Sequence, residues 1–260
     1  MVLHRPVELA RTIGDRLLTY NSCSMSGALP SYYNERSLMS QKLPVIRAFV
    51  FDLDGTLIDS KQDLVTSVNA MLREMGRAEL PTDRVASFIG HGAPQLIASA
   101  LGPGATDDLQ RTGLSLFLAH YQLHKLDATR PYPGVVEALE ALATYPMSVL
   151  SNKPTNMSVE ILQGLGLAKY FRSIYGGDSF EKKKPNPTGA LTILQELGVP
   201  PAQAAMVGDS EVDVQTARNA GMLAVAVNYG FGVHDRAAHP ADLYLDSLTD
   251  LVNLTRDHHS

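Results

Sequence analysis

Asp52 and Asp54 lie in the run Val50-Phe51-Asp52-Leu53-Asp54-Gly55-Thr56-Leu57: two carboxylates two positions apart, then a glycine and a hydroxyl. The residues before them (Val45, Ile46, Ala48, Phe49, Val50, Phe51) are apolar and read as a buried parallel strand. Residues i and i+2 of a strand share a face, so the two carboxylates can converge on one point. Anions that close repel each other unless a cation or a shared proton intervenes. The chemistry this suggests is a divalent-metal site at a strand's C-terminal end, where open α/β sheets bind ligands. A simple turn is the alternative, because Asp-Gly is a common turn dipeptide. A calcium loop of the EF-hand type is disfavoured: it needs glycine at its sixth position and a terminal Glu, and here the glycine falls fourth.

The elements that must position these acids follow from the pattern downstream. Asp59 and Ser60 are N-cap candidates for a helix in which Leu64, Val68, Met71, Leu72 and Met75 recur at helical spacing until Gly76. Helical stretches continue over Thr82–Ile89, Ala93–Leu101 and Thr106–His124, punctuated by Gly90-His91-Gly92 and Gly102-Pro103-Gly104. No convincing strand lies between Asp59 and Arg130. A simple crossover needs far fewer residues, so residues 61–130 are expected to form an inserted helical cap. Pro131-Tyr132-Pro133-Gly134 reads as the return hinge. Strand–helix alternation then resumes: helix 134–144, strand 147–151, helix 155–165, a short strand near 173–175, helix 187–197, strand 204–207, helix 212–220, strand 223–227 and a last strand and helix near 242–255. This alternation predicts a doubly wound parallel α/β sheet, Rossmann-like, with residues 45–60 and 131–260 as the catalytic core.

Each strong polar cluster falls just after a predicted strand. They are Asp52 and Asp54; Ser151-Asn152-Lys153; Lys182-Lys183-Lys184-Pro185; and Gly208-Asp209-Ser210-Glu211-Val212-Asp213. Parallel strands of one sheet would bring all four tips to the same edge. Asp52, Asp54, Asp209 and Asp213 carry four negative charges if all are ionised, which one Mg²⁺ and one or two lysines largely cancel. Hard oxygen ligands suit Mg²⁺, and no soft ligands accompany them. Such a site can hold a phosphate and leave a carboxylate free to attack phosphorus, as in aspartyl-phosphate chemistry.

The wider composition is compatible with this. A chain of 260 residues, 45% hydrophobic and 19% charged, suffices for one α/β core and an insert. No apolar run approaches the roughly 20 residues that span a bilayer. A single cysteine, Cys23, permits no internal disulfide and points to a reducing, cytoplasmic setting; it also argues against structural zinc. A net charge of −5 advertises no affinity for nucleic acid or anionic membrane. In residues 1–44, Leu9, Ile13 and Leu17 hint at a short helix, while Asn21 to Gln41 is polar without a clear period. The whole segment reads as an extension, disordered or lying upstream of a true start at Met39, and Glu8 and Asp15 count against a transit peptide. A truncation beginning at Met39 that lost solubility or activity would sink that reading.

At these residues the chain resembles the haloacid dehalogenase superfamily. Asp52-Leu-Asp54-Gly-Thr, Ser151, Lys184-Pro185 and Gly208-Asp209 with Asp213 match its four motifs in order, over residues 46 to about 250. Within the superfamily the likeness is greatest to phosphoglycolate phosphatases, with Ser151 standing where these often have Thr. The resemblance implies Asp52 as nucleophile and Asp54 as acid and base, its backbone carbonyl also touching Mg²⁺. It implies Ser151 as a phosphate holder, Lys184 as the neutralising cation, Asp209 as a metal ligand and Asp213 as support behind it. The substrate implied is a small phosphate ester, 2-phosphoglycolate in particular.

Other residues carry weaker expectations. Asn152 and Lys153 could reach the substrate, with a bare polar loop as the alternative. Thr56 is expected to hydrogen-bond within the Asp loop, Asp59 and Ser60 to cap a helix, and Lys182 and Lys183 to be solvated. His91, between two glycines, could present its ring to a substrate carboxylate or simply be exposed. The motifs do not separate a hydrolase from a phosphomutase of the β-phosphoglucomutase type, nor 2-phosphoglycolate from a sugar phosphate. Phosphonate hydrolysis would need a cap lysine, and none occurs between Lys61 and Lys125. Dehalogenation fits poorly, since those relatives lack the second Asp. Monomer and homodimer are both compatible with the sequence.

Overall fold

The computed structural model describes residues 45–232 and 235–256. The extension 1–44 expected from the sequence lies outside them. β1 (Ala48–Phe51) forms where the apolar run predicts and is wholly buried. A two-residue β2 (Ile58–Asp59) follows, then four helices: α1 (Lys61–Glu74), α2 (Thr82–Ala86), α3 (Ala93–Leu101) and α4 (Asp107–His124). β3 (Arg130–Pro131) closes this helical insert by pairing antiparallel with β2, so that Ile58 faces Pro131 and Asp59 faces Arg130. Sequence patterning gave no sign of this ribbon, because two residues show no period.

The remainder alternates: α5 (Val135–Ala141), β4 (Met147–Leu150), α6 (Thr155–Gly164), β5 (Ile174–Tyr175), α7 (Thr188–Leu197), β6 (Ala204–Gly208), α8 (Glu211–Ala220), β7 (Leu223–Val227), β8 (Leu243–Leu245) and α9 (Asp250–Arg256). Six strands form one sheet in the order β5-β4-β1-β6-β7-β8, every pair parallel. This is the doubly wound core expected. Alternate strand residues feed two cores. Phe49, Phe51, Val149 and Val207 face one side, with α5 and α6; Ala48, Val50, Met206 and Ala224 face the other, with α7 and α8. Both faces are therefore covered, as parallel sheets require.

Register explains why the polar tips meet. Phe51 pairs with Val149 on one side and Val207 on the other, so the residues that follow each strand emerge at one level. The insert is built on α1 packed against α4, with Val68, Met71, Leu72 and Phe117 buried in the same apolar cluster. Asp63, buried in the first turn of α1, accepts from the Ala128 N–H (2.9 Å), the Thr129 N–H (2.8 Å) and the Thr129 hydroxyl (2.7 Å). That carboxylate ties the chain leaving the core to the chain returning to it. Among the described residues no helix is long and apolar enough to cross a membrane.

Candidate active site

The loop after β1 turns sharply because the Leu53 carbonyl accepts from the N–H groups of Thr56, Leu57 and Ile58 at 3.3, 3.0 and 3.1 Å. Gly55 sits at φ 87°, and a Cβ there would collide with the Asp209 carboxylate. Glycine is thus required twice at that position, for its backbone and for the approach of the acid after β6.

The two acids of the loop occupy different surroundings. Asp52 Oδ1 lies 2.7 Å from Lys184 Nζ, and the same ammonium lies 2.7 Å from Asp213 Oδ1. Asp213 Oδ2 accepts from the Ser210 hydroxyl (2.7 Å) and N–H (3.2 Å), a capping box that opens α8. Asp209 Oδ2 accepts from the backbone N–H groups of Phe231 (3.0 Å) and Gly232 (2.7 Å). Asp52, Asp209 and Asp213 each present one oxygen, and the three lie within 4.8 Å of one another. Asp54 turns the other way. Its Oδ1 accepts from the Ser60 hydroxyl at 2.5 Å, and Lys153 Nζ reaches Oδ1 and Oδ2 at 3.0 and 2.9 Å.

The electrostatics follow from burial. Desolvation pushes the Asp52 carboxyl up to about 6, with Lys184 opposing and Asp213 adding to the rise. Burial, Asp213 and Asp52 hold Asp209 well above the usual carboxylate range. Burial disfavours the charged form of Lys184, but Asp213 and Asp52 outweigh it and raise the ammonium above its ordinary value. Lys153 is raised in the same way, chiefly by Asp54. Three buried carboxylate oxygens, two of them on acids whose charge is unfavourable as placed, fit a hard divalent cation. The glycine cradle at Gly55 and Gly230, where a Cβ would strike Asp209, keeps that acid at the cluster.

Between this edge and the insert lies a cleft lined from the core by Asp52, Asp54, Ser151 and Lys153. Leu64, Leu96, Phe117 and Tyr121 close it from the insert.

Residues 49–227 match the family model described as haloacid dehalogenase-like hydrolase. The chain belongs to the haloacid dehalogenase-like hydrolase family. It is 38% identical over 224 residues to the phosphoglycolate phosphatase of Pseudomonas savastanoi pv. phaseolicola, covering 83% of this chain and 81% of that one. Identity to the phosphoglycolate phosphatase of Chromobacterium violaceum is also 38%, over 218 residues, covering 82% and 97%. The crystal structure of a predicted phosphoglycolate phosphatase from Haemophilus somnus 129PT matches at a TM-score of 0.77 and 30% identity, covering 81% of this chain and 98% of that one.

In this haloacid dehalogenase-like hydrolase the motif residues Asp52, Lys184, Asp209 and Asp213 meet in one cluster, and Ser151 stands buried at the tip of β4. Several finer expectations differ. The Asn152 side chain is engaged within the protein: its amide donates to the carbonyls of Gly90 (3.0 Å) and Lys184 (3.2 Å), and its oxygen accepts from the Lys184 N–H (3.0 Å). It fastens the insert and the Lys184 loop to the tip of β4 and has no amide proton left over for a ligand. The Asp54 carboxylate stands outside the three-acid cluster, held by Ser60 and Lys153. Thr56 is fully buried and hydrogen-bonds in the loop only through its backbone N–H, to Leu53; its hydroxyl has no partner, and its carbonyl accepts from the Tyr229 hydroxyl at 2.9 Å. Ser60 occupies the N-cap position of α1 yet gives its hydroxyl to Asp54 instead of the helix. His91 is exposed and lies off the cleft wall, to which Gly90 and Gly92 contribute instead. Lys182 and Lys183 are exposed, as expected.

Sequence reasoning missed Ser60 and Tyr121. Ser60 had a usable signal, six residues after Asp54 at a helix start; Tyr121 looked like any apolar position on α4.

Proposed function

We propose that this hydrolase is a Mg²⁺-dependent phosphomonoesterase that converts a small phosphate ester, 2-phosphoglycolate foremost, to its alcohol and phosphate through an aspartyl-phosphate on Asp52. The observation that carries the reading is the division of labour between Asp52 and Asp54. One faces Lys184 and the acid cluster, the other faces Ser60, Lys153 and the cleft. The names of the relatives supply the substrate class. Asp52, Asp209 and the Asp54 carbonyl would hold Mg²⁺, with Asp213 fixed behind them by Lys184 and Ser210. When bound, the cation offsets the negative charge of acids and phosphate, which would otherwise repel each other.

The chain's own groups then account for the reaction. A carboxylate oxygen of Asp52 attacks phosphorus as the bond to the leaving oxygen breaks. Asp54 gives its proton to that oxygen and releases the alcohol. Lys184 and the backbone N–H groups after Ser151 stabilise charge on the transferring phosphoryl group. Asp54 then takes a proton from water, the hydroxide attacks phosphorus, and Asp52 departs as carboxylate with free phosphate. The helical insert acts as a cap that excludes bulk water from this sequence.

Phosphate release from 2-phosphoglycolate, hexose phosphates, nucleotides and pyrophosphate, each with Mg²⁺ and with chelator, tests the reading. Metal-dependent release greatest on 2-phosphoglycolate and absent in Asp52→Asn is expected. A maximum on another ester would overturn the substrate, and transfer to a sugar without free phosphate would make the protein a mutase.

A further inference from the structure

Tyr121, on α4 of the insert, is 1% exposed; the Lys153 ammonium, itself a donor, approaches its hydroxyl, whose own proton meets no acceptor among the described residues. A buried O–H donor without an acceptor is unfavourable, and such groups call for an explanation. Every other described residue that the insert contributes to the cleft wall is apolar or glycine, so among the described residues this hydroxyl is the single polar side-chain group on that side. Its position is fixed from two directions. The ring stacks on Phe117 with centroids 5.5 Å apart and planes 8° from parallel, and Lys153 Nζ lies 4.5 Å from its centroid. The same ammonium holds both oxygens of Asp54, so Tyr121 borders the acid that serves the leaving group. Burial pushes the phenol up to about 12, which keeps it a hydrogen-bond donor at neutral pH.

We infer that Tyr121 is a specificity-determining residue whose hydroxyl donates to a carboxylate on the substrate's leaving group, beside the Lys153 ammonium. The inference rests on the phosphomonoesterase reading above and adds to it a cap-side contact that selects acidic leaving groups. Among the described residues Lys153 is the one cation lining the cleft, so an acidic leaving group finds a charge and a donor together. A site built to hydrogen-bond a substrate group discriminates strongly against analogues that lack it.

The test is Tyr121→Phe, which keeps the ring, its stack and its contact with Lys153 and deletes one oxygen. The ratio of kcat/KM for 2-phosphoglycolate to that for ethyl phosphate, whose leaving group has no acceptor, should fall by about 10- to 100-fold, as expected for a hydrogen bond to a charged group. The loss should lie mainly in KM. The melting temperature should change little, because the variant removes a hydroxyl whose proton has no acceptor and whose oxygen only borders the Lys153 ammonium. In an Asp52→Asn background, where substrate binds without turnover, the thermal shift given by 2-phosphoglycolate should shrink on adding Tyr121→Phe. An unchanged ratio, or an equal loss on both esters, would overturn the inference while leaving the phosphatase intact. A wild-type enzyme that hydrolyses neither ester would instead remove the reading on which it rests.

Discussion

Lys153 Nζ holds both carboxylate oxygens of Asp54, at 2.9 and 3.0 Å, across 99 positions of sequence. The pair joins the tip of β4 to the loop after β1 and fixes the direction in which Asp54 points. Because Lys153 and Asp54 are both largely removed from water, neither can lose the other without leaving a poorly solvated charge. Lys153→Ala is expected to lower kcat by about 10²-fold, the lower end of what a positioned acid–base group contributes. Steady-state kinetics on the best ester checks this, and kcat within twofold of wild type would refute it.

Ser60 supplies the other fixed contact to Asp54, from the N-cap position of α1. Ser60→Ala should reduce kcat by about tenfold, one charge-assisted hydrogen bond, with KM little changed. Since the hydroxyl does not cap the helix, the melting temperature should move little. A large drop in stability with unaltered kcat would show that Ser60 serves the helix instead.

Gly55 is required by the close approach of Asp209. Gly55→Ala should displace that carboxylate and weaken divalent-cation binding at least tenfold, by the logic of a disturbed ligand environment. Isothermal titration with Mg²⁺, or with Mn²⁺ as a tighter probe, measures it directly.

The pH dependence of stability has a defined sign. Asp52 rises from its ordinary 3.8 to about 6 in the folded chain, so the folded state binds its proton more tightly than the unfolded state. Its contribution to stability is fully present below 3.8 and is lost as pH rises toward about 6. With chelator present, wild type should therefore lose stability relative to Asp52→Asn between these values. Chemical denaturation of both proteins at several pH values measures this, and a wild type that gained stability relative to the variant as pH rose would contradict the assignment.

Asp63 carries the join between insert and core. Asp63→Ala leaves the two N–H groups and the Thr129 hydroxyl without their acceptor and should cost about 2–3 kcal/mol. Denaturant unfolding reads this, and a cost below 0.5 kcal/mol would show that water replaces the carboxylate.

The doubly wound core was legible because it rests on period and on strand tips. Apolar runs such as Ala48–Phe51 and Ala204–Val207 end in Asp52 and Asp209, and parallel register does the rest. The helices α1 and α4 were legible from their apolar spacing. What could not be read were contacts decided by direction in three dimensions. Asn152 looks like a free polar residue until the Gly90 and Lys184 loops close on it. Ser60 looks like a cap until the turn at Gly55 brings Asp54 over it. Tyr121 matches the helical pattern of a core residue, and nothing in one dimension distinguishes a hydroxyl whose proton meets an acceptor from one whose proton does not. His91 has the composition of a ligand loop, but the backbone of Gly90 and Gly92 faces the cleft instead.

The central claim is that Asp52 carries the phosphoryl group. Asp54→Asn should slow hydrolysis of the intermediate, so acid-quenching that variant during turnover of 2-phosphoglycolate and mapping the modified peptide by mass spectrometry tests it most directly. The account predicts one phosphoryl group on the peptide containing Asp52, absent when Asp52→Asn is added. A phosphoryl group on another residue, or phosphate release undiminished by Asp52→Asn, would contradict it.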